Sequence, residues 1–571
     1  MRAFSEVLAL GALFASLTAM SWRTWPDVLI DSLFRMGGTS YTTLIVANLA
    51  ILAGLGILVH RFFTAACDRL TALVAAIAVF TIFGFADPGM SFNFIAPYAH
   101  EATHGLVLSV LMLYAAQRFL ATGRVSWAGV AGACLGLTLL TKPEVALAAV
   151  AGAGTGILLI ASFPGLAGRR SMAALAVFTA ALAAGPLAFF AYFLSTLPSG
   201  DAVRAVLGAW MPLLRADSVR NALYATTSGF GAPTLNLLRM AQLATIAGTV
   251  ALVWAAVDLI VARRQSRQSV LALLGVLVSA VVYLALPISV VYDLARALPI
   301  VVIGILAVLV RDVVRDRGNS AAMTRLAPLV MWAVLALTLL AKILLNVQLY
   351  AYGFVLALPA SLLAIASGLW LIPGALRHRG GSGVMFRSLA MTAVGVVAAL
   401  HLMWWYGTYS EKTFAIGTGG DTIVTWETAL TYERSVSPIG PVVAAAIEQI
   451  ERLSPPEGTF AVFPEGVMLN YLTRRRNPTP YINFMLPELA AFGEAAMVAA
   501  LDEHPPDLVV IVHRDTSEYG VGFFGRDPRY GPQIMDWVAR RYETAALIGS
   551  EPLVGPEFGI KILRQRGATE K

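Results

Sequence analysis

The residues best suited to chemistry are ionisable side chains that border apolar segments. Asp27 and Asp31 follow Pro26 and are four residues apart, so on a helix both carboxylates would share one face. A carboxylate within reach of a substrate hydroxyl can take its proton as a general base. The structural alternative is that Asp27 caps a short helix that begins after Pro26. We favour the catalytic interpretation.

A second set of candidates forms the motif His100–Glu101–x–x–His104. On a helix this spacing puts two imidazoles on one face to bind zinc, while the glutamate activates water. The sequence has no second signature that identifies a third zinc ligand. The same atoms allow another interpretation, in which Glu101 is a second catalytic acid and His100, His104 and neighbouring Tyr98 bind a phosphate or sugar. A purely structural role for the motif is the third alternative.

Three cations complete the candidate set. Lys142 lies beside Glu144 in a tight turn between two apolar segments, and Arg296 and Lys342 lie at or just inside the ends of others. Charges at such a depth are costly unless they are paired or face a polar cavity. Together the cations could stabilise a phosphate leaving group, where negative charge grows in the transition state. For Lys342 the alternative is that its long side chain extends to the membrane surface.

The elements that must position these residues are apolar spans of about 20 residues, the length that crosses a bilayer. Thirteen such spans are predicted, at 6–22, 41–60, 71–87, 104–120, 126–141, 143–162, 172–194, 240–262, 269–287, 293–310, 326–346, 352–373 and 386–406. With the N-terminus in the cytoplasm, the arginine-rich loops all fall on the cytoplasmic side, as the positive-inside rule requires. The pattern predicts a polytopic α-helical membrane protein with its N-terminus inside and its C-terminus outside.

Composition restricts the function classes. A hydrophobic fraction of 58%, a charged fraction of 13% and a mean hydropathy of +0.73 exclude an ordinary soluble domain. Residues 1–406 carry 26 Lys or Arg against 13 Asp or Glu. This surplus is typical of contact with the cytoplasmic leaflet and does not imply nucleic acid. With only Cys67 and Cys134, no thiolate metal cluster is expected, and we interpret the first span as an uncleaved anchor.

Two regions are predicted outside the spans. Residues 410–571 alternate helical and strand patterns and are expected to form an α/β domain outside the cytoplasm. In that domain Glu465 follows a predicted strand, where α/β sheets often bind ligands, or it caps the next helix. The segment 195–239, within the transmembrane domain 1–406, is predicted to form one or two surface helices that roof a cavity.

Taken together, these features resemble one enzyme superfamily. The acidic outer segments around Asp27 and Glu101, the stretch Gly136–Glu144 and the C-terminal domain resemble the GT-C membrane glycosyltransferases. The nearest branch is the bacterial one that groups aminoarabinose transferases and protein O-mannosyltransferases. The resemblance implies a polyprenyl-phosphate-linked sugar as donor, a glycan, lipid or protein acceptor, and transfer with inversion at the outer face of the bacterial cytoplasmic membrane. It places the catalytic base on Asp27 or Asp31.

Two other functions remain as alternatives. A transporter or flippase for a lipid-linked saccharide would carry charged groups through its spans, whereas the acids here cluster at span ends. An intramembrane zinc metalloprotease would use His100, Glu101 and His104. No cofactor is assigned, and a divalent cation stays an open alternative.

Overall fold

The computed structural model describes residues 33–85, 92–97, 99–163, 171–210, 222–263, 274–279, 281, 288–430 and 436–567. In the described part of residues 33–410 all regular structure is helical. Its labelled helices are α1 Tyr41–Ala66, α2 Arg69–Ala78, α3 His100–Thr122, α4 Val125–Thr138, α5 Pro143–Ser162, α6 Ser171–Leu194, α7 Ser199–Leu207, α8 Ala222–Ser228, α9 Pro233–Ala262, α10 Ile288–Asp293, α11 Leu298–Arg315, α12 Ser320–Leu340, α13 Gly353–Leu356, α14 Leu358–Ala366, α15 Ile372–Arg377 and α16 Val384–Ser410.

Among the described residues, nine helical segments are long and apolar enough to cross a membrane, and the segments Arg69–Gly84 and Val125–Thr138 are shorter apolar helices. These eleven segments correspond to eleven of the thirteen predicted spans. The remaining two, 6–22 and 269–287, lie wholly or mostly outside the described residues. The finding agrees with a polytopic helical protein.

The helix boundaries differ from the prediction in two informative places. Helix α9 begins at Pro233 rather than near residue 240, because proline suits the first helical turn and Asn236 finds a partner in the carbonyl of Gly229. The predicted span 352–373 is interrupted, with α13, α14 and a π-helical turn Ser367–Leu371 in succession. Hydropathy detects apolar length but not such local changes of helix geometry.

One end of the helix bundle is rich in arginine, and carboxylates hold two of its turns. We call this the arginine-rich end; it comprises the turns at 61–69, 118–124, 258–263, 311–325 and 377–387. Asp68 accepts the amide of Thr71 at 2.9 Å and pairs with Arg387 at 2.7 Å. Asp258, which has no exposed surface, accepts the amides of Gly383 at 2.8 Å and Met385 at 2.9 Å. Each carboxylate therefore caps the start of a helix.

Residues 414–567 form a layered α/β unit, described over 414–430 and 436–567. Its strands are β1 Phe414–Ile416, β2 Ile423–Thr425, β3 Ala429–Leu430, β4 Val436–Ser437, β5 Phe460–Phe463, β6 Leu508–Val512, β7 Tyr542–Gly549 and β8 Gly559–Gln565. Its helices are α17 Ile439–Leu453, α18 Met468–Thr473, α19 Leu486–Phe492, α20 Glu494–Glu503 and α21 Pro532–Arg541. Strands β5 and β6 are parallel neighbours in a sheet of order β5-β6-β8-β7, with separate apolar clusters on its two faces.

A clasp fixes this unit to the start of α1. Asp421 accepts the amide of Tyr41 at 2.9 Å and also contacts Tyr471 and Arg474. Arg474 in turn donates to the carbonyl of Thr39 at 3.3 Å. The helix ends near Tyr41 thus lie beside the α/β unit, and we call them the domain-facing end.

Candidate functional site

At the domain-facing end, an ion pair joins two helices that are far apart in the sequence. Lys342, just after α12, places its Nζ atom 2.7 Å from Oε1 of Glu144 in the first turn of α5. The side chains are 26% and 22% exposed, so the pair is shielded but reachable from solvent. Lys142, which precedes Pro143, interacts electrostatically with the same carboxylate. Two lysines around one glutamate leave a formal surplus of one positive charge.

The start of α3 packs against this cluster. A Cβ atom at Gly105 would lie 2.6 Å from Oγ1 of Thr141. The backbone of α3 therefore approaches the turn at Thr141, next to Lys142, closely. Glu101 is one helical turn before Gly105 on the same face of α3. The contact therefore brings Glu101, which is half-buried, to the same end of the bundle as Lys142.

The two histidines of the motif are buried beside each other. His100 and His104 are each 4% exposed, and their ring centroids are 5.5 Å apart. Both ring nitrogens of His100 lack a hydrogen-bond partner in the described part of the chain. Within those residues no three His, Cys, Asp or Glu side chains are grouped so that they could hold a metal ion. The zinc interpretation thus gains no third ligand from the described residues.

Arg296 belongs to a neighbouring network rather than to the Lys342 pair. Its Nε atom lies 3.4 Å from Asp293, which also pairs with Arg239 at 2.6 Å. Its Nη1 atom donates to Asn236 at 3.4 Å. Arg296 is only 12% exposed, so its charge is balanced mainly by protein groups. Two arginines around one aspartate again leave a surplus of one positive charge.

The described parts of the segment between α6 and α9 contact the region of the lysine cluster. Trp210 donates its indole N–H to the carbonyl of Leu139 at 2.8 Å, in the turn that leads to Lys142. Helix α8 is tied to the loop after Lys342, because Ser228 accepts the amide of Leu345 at 3.1 Å. Tyr224 on α8 interacts electrostatically with Lys142, Glu144 and Glu488. This tyrosine therefore lies between the bundle and the α/β unit.

On the α/β unit, charged residues follow both parallel strands. Arg514, after β6, places its Nε atom 3.2 Å from Oε2 of Glu465, after β5, and also pairs with Glu518. Arg514 and Glu465 are each 12% exposed. Burial lowers the pKa of Arg514, but the two carboxylates outweigh burial and raise it, so the guanidinium stays charged. The N-cap residue of α18, Val467, makes no side-chain cap hydrogen bond, and a favourable effect of Glu465 on the positive end of that helix stays a prediction.

Glu488, a partly exposed residue, has one buried carboxylate oxygen. It lies in the first turn of α19, and its Oε2 atom is buried without a hydrogen-bond partner among the described residues. The side-chain oxygen of Asn483 is in the same condition. Burial raises the pKa of Glu488 to about 7 with a smaller contribution from Glu465, while its own backbone amide and the side chain of Asn483 act to lower it. Tyr352, whose ring lies 5.0 Å from Nζ of Lys342, interacts electrostatically with Glu488.

An apolar cavity of about 340 Å³ lies deeper in the bundle, between α3, α4, α5, α6 and α12. It is lined on α5 by Ala153 and Gly156 and on α12 by Met331. These are the helices that lead to Glu144 and Lys342. With a rise of 1.5 Å per residue, the cavity begins roughly 14–17 Å from the ion pair along either helix. From there the cavity extends towards the arginine-rich end, where Phe119 and Ser171 line it.

The structure thus brings Lys142, Lys342 and the start of α3 to one end of the bundle, with the Arg296 network nearby. Asp27, Asp31 and Tyr98 lie outside the described residues. Sequence reasoning missed four contributors, Tyr224, Tyr352, Glu488 and Arg514. For Arg514 a signal was present, since a charge follows each of two buried apolar strands, Glu465 being the other.

Comparison of the chain with protein-family models and with curated proteins gave no match.

Proposed function

We propose that this protein is an inverting glycosyltransferase of the cytoplasmic membrane. It takes a sugar from a polyprenyl-phosphate donor and transfers it to an acceptor hydroxyl outside the cytoplasm. The observation that carries the proposal is the lysine-rich cluster around Glu144 at the domain-facing end. It combines cations for a phosphate, an apolar cavity in the bundle for a lipid chain, and a covering α/β unit with unused polar atoms.

In the proposed reaction the acceptor oxygen attacks the anomeric carbon as its proton passes to a carboxylate. The bond from that carbon to the phosphate oxygen breaks, and the electron pair leaves with the phosphate. Lys142 and Lys342 stabilise the charge that grows on this leaving group, with Arg296 close by. His100 and His104 remain candidates for donor binding, and Glu101, Asp27 and Asp31 are the carboxylates that the sequence predicts for the proton.

The first test measures donor binding. The purified protein in lipid nanodiscs is titrated with a polyprenyl monophosphate and, separately, with the uncharged polyprenol of the same length. We expect the phosphate to bind at least about tenfold more tightly, a difference of 1.4 kcal/mol. Lys342→Met should remove most of that preference, whereas Lys561→Met, which changes a lysine on β8, should keep it. Equal affinity for phosphate and alcohol would overturn the proposal.

The second test concerns location. The proposal requires residues 410–571 outside the cytoplasm, which follows from an odd number of spans and a cytoplasmic N-terminus. A reporter that is active only in the cytoplasm, fused after Lys571, should give no signal. A reporter active only outside should give a strong one. The reverse result would place the lysine cluster on the wrong side of the membrane for the proposed donor.

A third test separates the transferase from the metalloprotease. Purified wild-type protein is assayed for zinc content and for sugar transfer in the presence of a zinc-specific chelator. We expect no stoichiometric zinc and unchanged transfer. Stoichiometric zinc that is lost in both His100→Ala and His104→Ala, together with cleavage of a membrane peptide, would favour the protease instead.

A further inference from the structure

The surface between the helix bundle and the α/β unit carries opposite charges on its two sides. On the bundle side, the cations Lys142, Lys342, Arg239 and Arg296 outnumber the carboxylates Glu101, Glu144 and Asp293. On the other side, the carboxylates Glu465, Glu488 and Glu518 outnumber Arg514. A ligand bound between them would meet cations at one end and carboxylates at the other. This is the polarity that a phosphate leaving group and a hydroxyl nucleophile require.

The carboxylates on the α/β side are not equivalent. Arg514 bonds one oxygen of Glu465 and one oxygen of Glu518. Glu488 has a buried Oε2 atom without a partner in the described part of the chain. A buried acceptor of this kind costs free energy unless a ligand or a proton satisfies it. Glu488 therefore offers a buried oxygen that the hydroxyl of a substrate would satisfy.

Glu488 also faces the bundle. Tyr224 interacts electrostatically with both Glu488 and Lys142, and Tyr352 with both Glu488 and Glu144. The two tyrosines thus connect Glu488 to the cluster proposed to hold the phosphate. The loop at Gly520 packs on α8, since a side chain there would lie 3.3 Å from Ala222, and so keeps the α/β unit close to Tyr224.

We infer that the α/β unit supplies a catalytic carboxylate, Glu488, which takes the proton of the acceptor hydroxyl. The inference rests on the transferase function proposed above. As the acceptor O–H bond breaks, the proton goes to Oε2 of Glu488 and the oxygen bonds to the anomeric carbon. The bond between that carbon and the donor phosphate breaks, and its electron pair goes to the phosphate near Lys342. The pKa of about 7 matches this task, because a base that titrates near neutral pH is deprotonated and still able to hold a proton.

The test compares Glu488→Gln with the wild type in nanodiscs, using labelled polyprenyl-phosphate sugar and following loss of the sugar from the lipid. Glutamine keeps the shape but cannot take the proton. We expect kcat to fall by about 10²–10⁴-fold, a typical loss for a general base, while polyprenyl monophosphate binds within about twofold of wild type. In wild type, kcat should rise with pH through about 7, and this limb should be absent in the residual activity of Glu488→Gln.

The matched control is Glu503→Gln on neighbouring helix α20, where the side chain is 76% exposed. It should keep wild-type turnover. If Glu488→Gln keeps turnover while Asp27→Asn or Asp31→Asn loses it, the proton goes to Asp27 or Asp31. The inference is then wrong, although the proposed function stands. If wild type neither binds polyprenyl phosphate nor consumes the donor, both are overturned.

Discussion

Asp258 and Glu488 are both acidic side chains with buried oxygen atoms, although Asp258 has no exposed surface and Glu488 is partly exposed. They lie near opposite ends of the helix bundle. At the arginine-rich end, both oxygens of Asp258 accept backbone amides at the start of α16. Near the domain-facing end, Oε2 of Glu488 is left without a partner among the described residues. A fully used carboxylate fixes a structure, whereas an unused one is available for a ligand or a proton. Hydrogen-bond satisfaction, more than burial or charge, distinguishes structural from functional acids here.

The largest expected effect is on catalysis at the domain-facing end. Lys342→Met should lower sugar transfer by about 10²–10³-fold, because it removes a group that stabilises charge on the leaving phosphate. The double variant Lys342→Met/Glu144→Gln removes both charges and should recover thermal stability without recovering transfer. Recovery of transfer in the double variant would mean that the ion pair, at 2.7 Å, has only a structural role. Charged groups at the domain-facing end would then be structural, like those at the arginine-rich end.

At the arginine-rich end the expected effect is on stability. Asp258→Ala leaves the buried amides of Gly383 and Met385 without an acceptor and should lower the free energy of unfolding by roughly 3 kcal/mol. Thermal unfolding in nanodiscs would measure this loss. The folded fraction of the variant should bind polyprenyl monophosphate as wild type does. A selective loss of ligand binding in correctly folded protein would contradict a purely structural role.

A pH-dependent difference should identify Glu488. Its pKa in the folded protein is about 7, above the ordinary 4.5, so the folded state holds the extra proton between these values. The contribution of Glu488 to the free energy of unfolding of wild type should therefore fall as pH rises from 4.5 to 7. Above pH 7 this contribution should change little. Glu488→Gln has no titrating carboxylate at this position. Its free energy of unfolding should therefore rise by about 1–3 kcal/mol relative to that of wild type between pH 4.5 and pH 8. A stability difference that does not change with pH would show that Glu488 titrates normally.

The smallest expected effect belongs to the partly exposed pair of Asp68 and Arg387. Their side chains are 34% and 26% exposed, so solvent screens the attraction. Arg387→Gln should cost about 1 kcal/mol or less, since the amide can still donate to Asp68. Transfer should be unchanged. If Arg387→Gln lowers the free energy of unfolding as much as Asp258→Ala does, then solvent exposure does not determine how much each carboxylate at this end stabilises the fold.

Features that depend on neighbouring residues in the sequence could be predicted better than contacts between distant residues. Helix α5 and strand β6 begin and end where the sequence indicates, because proline opens the helix and a continuous apolar run forms the strand. Pairing between distant residues is different. The sequence requires only that Lys342 find some partner, and the choice of Glu144, 198 residues away, depends on how α5 and α12 pack.

The site on the α/β unit was harder to foresee. Glu488 lies in a short helix, and nothing in the neighbouring sequence indicates that its Oε2 atom is buried without a hydrogen-bond partner among the described residues. That property depends on tertiary packing. Asp27, Asp31 and Tyr98 stay predictions from the sequence.

The clasp at Asp421 has a consequence for how the chain is made. The amide of Tyr41 and the carboxylate that accepts it are separated by 380 residues. During synthesis from the N-terminus, helix α1 is therefore produced long before its partner exists. The local cap, in which Ser40 accepts the amide of Thr43, can form at once. The bond from Tyr41 to Asp421 forms only after the α/β unit has been made, so docking of that unit adds the last acceptor at this helix start.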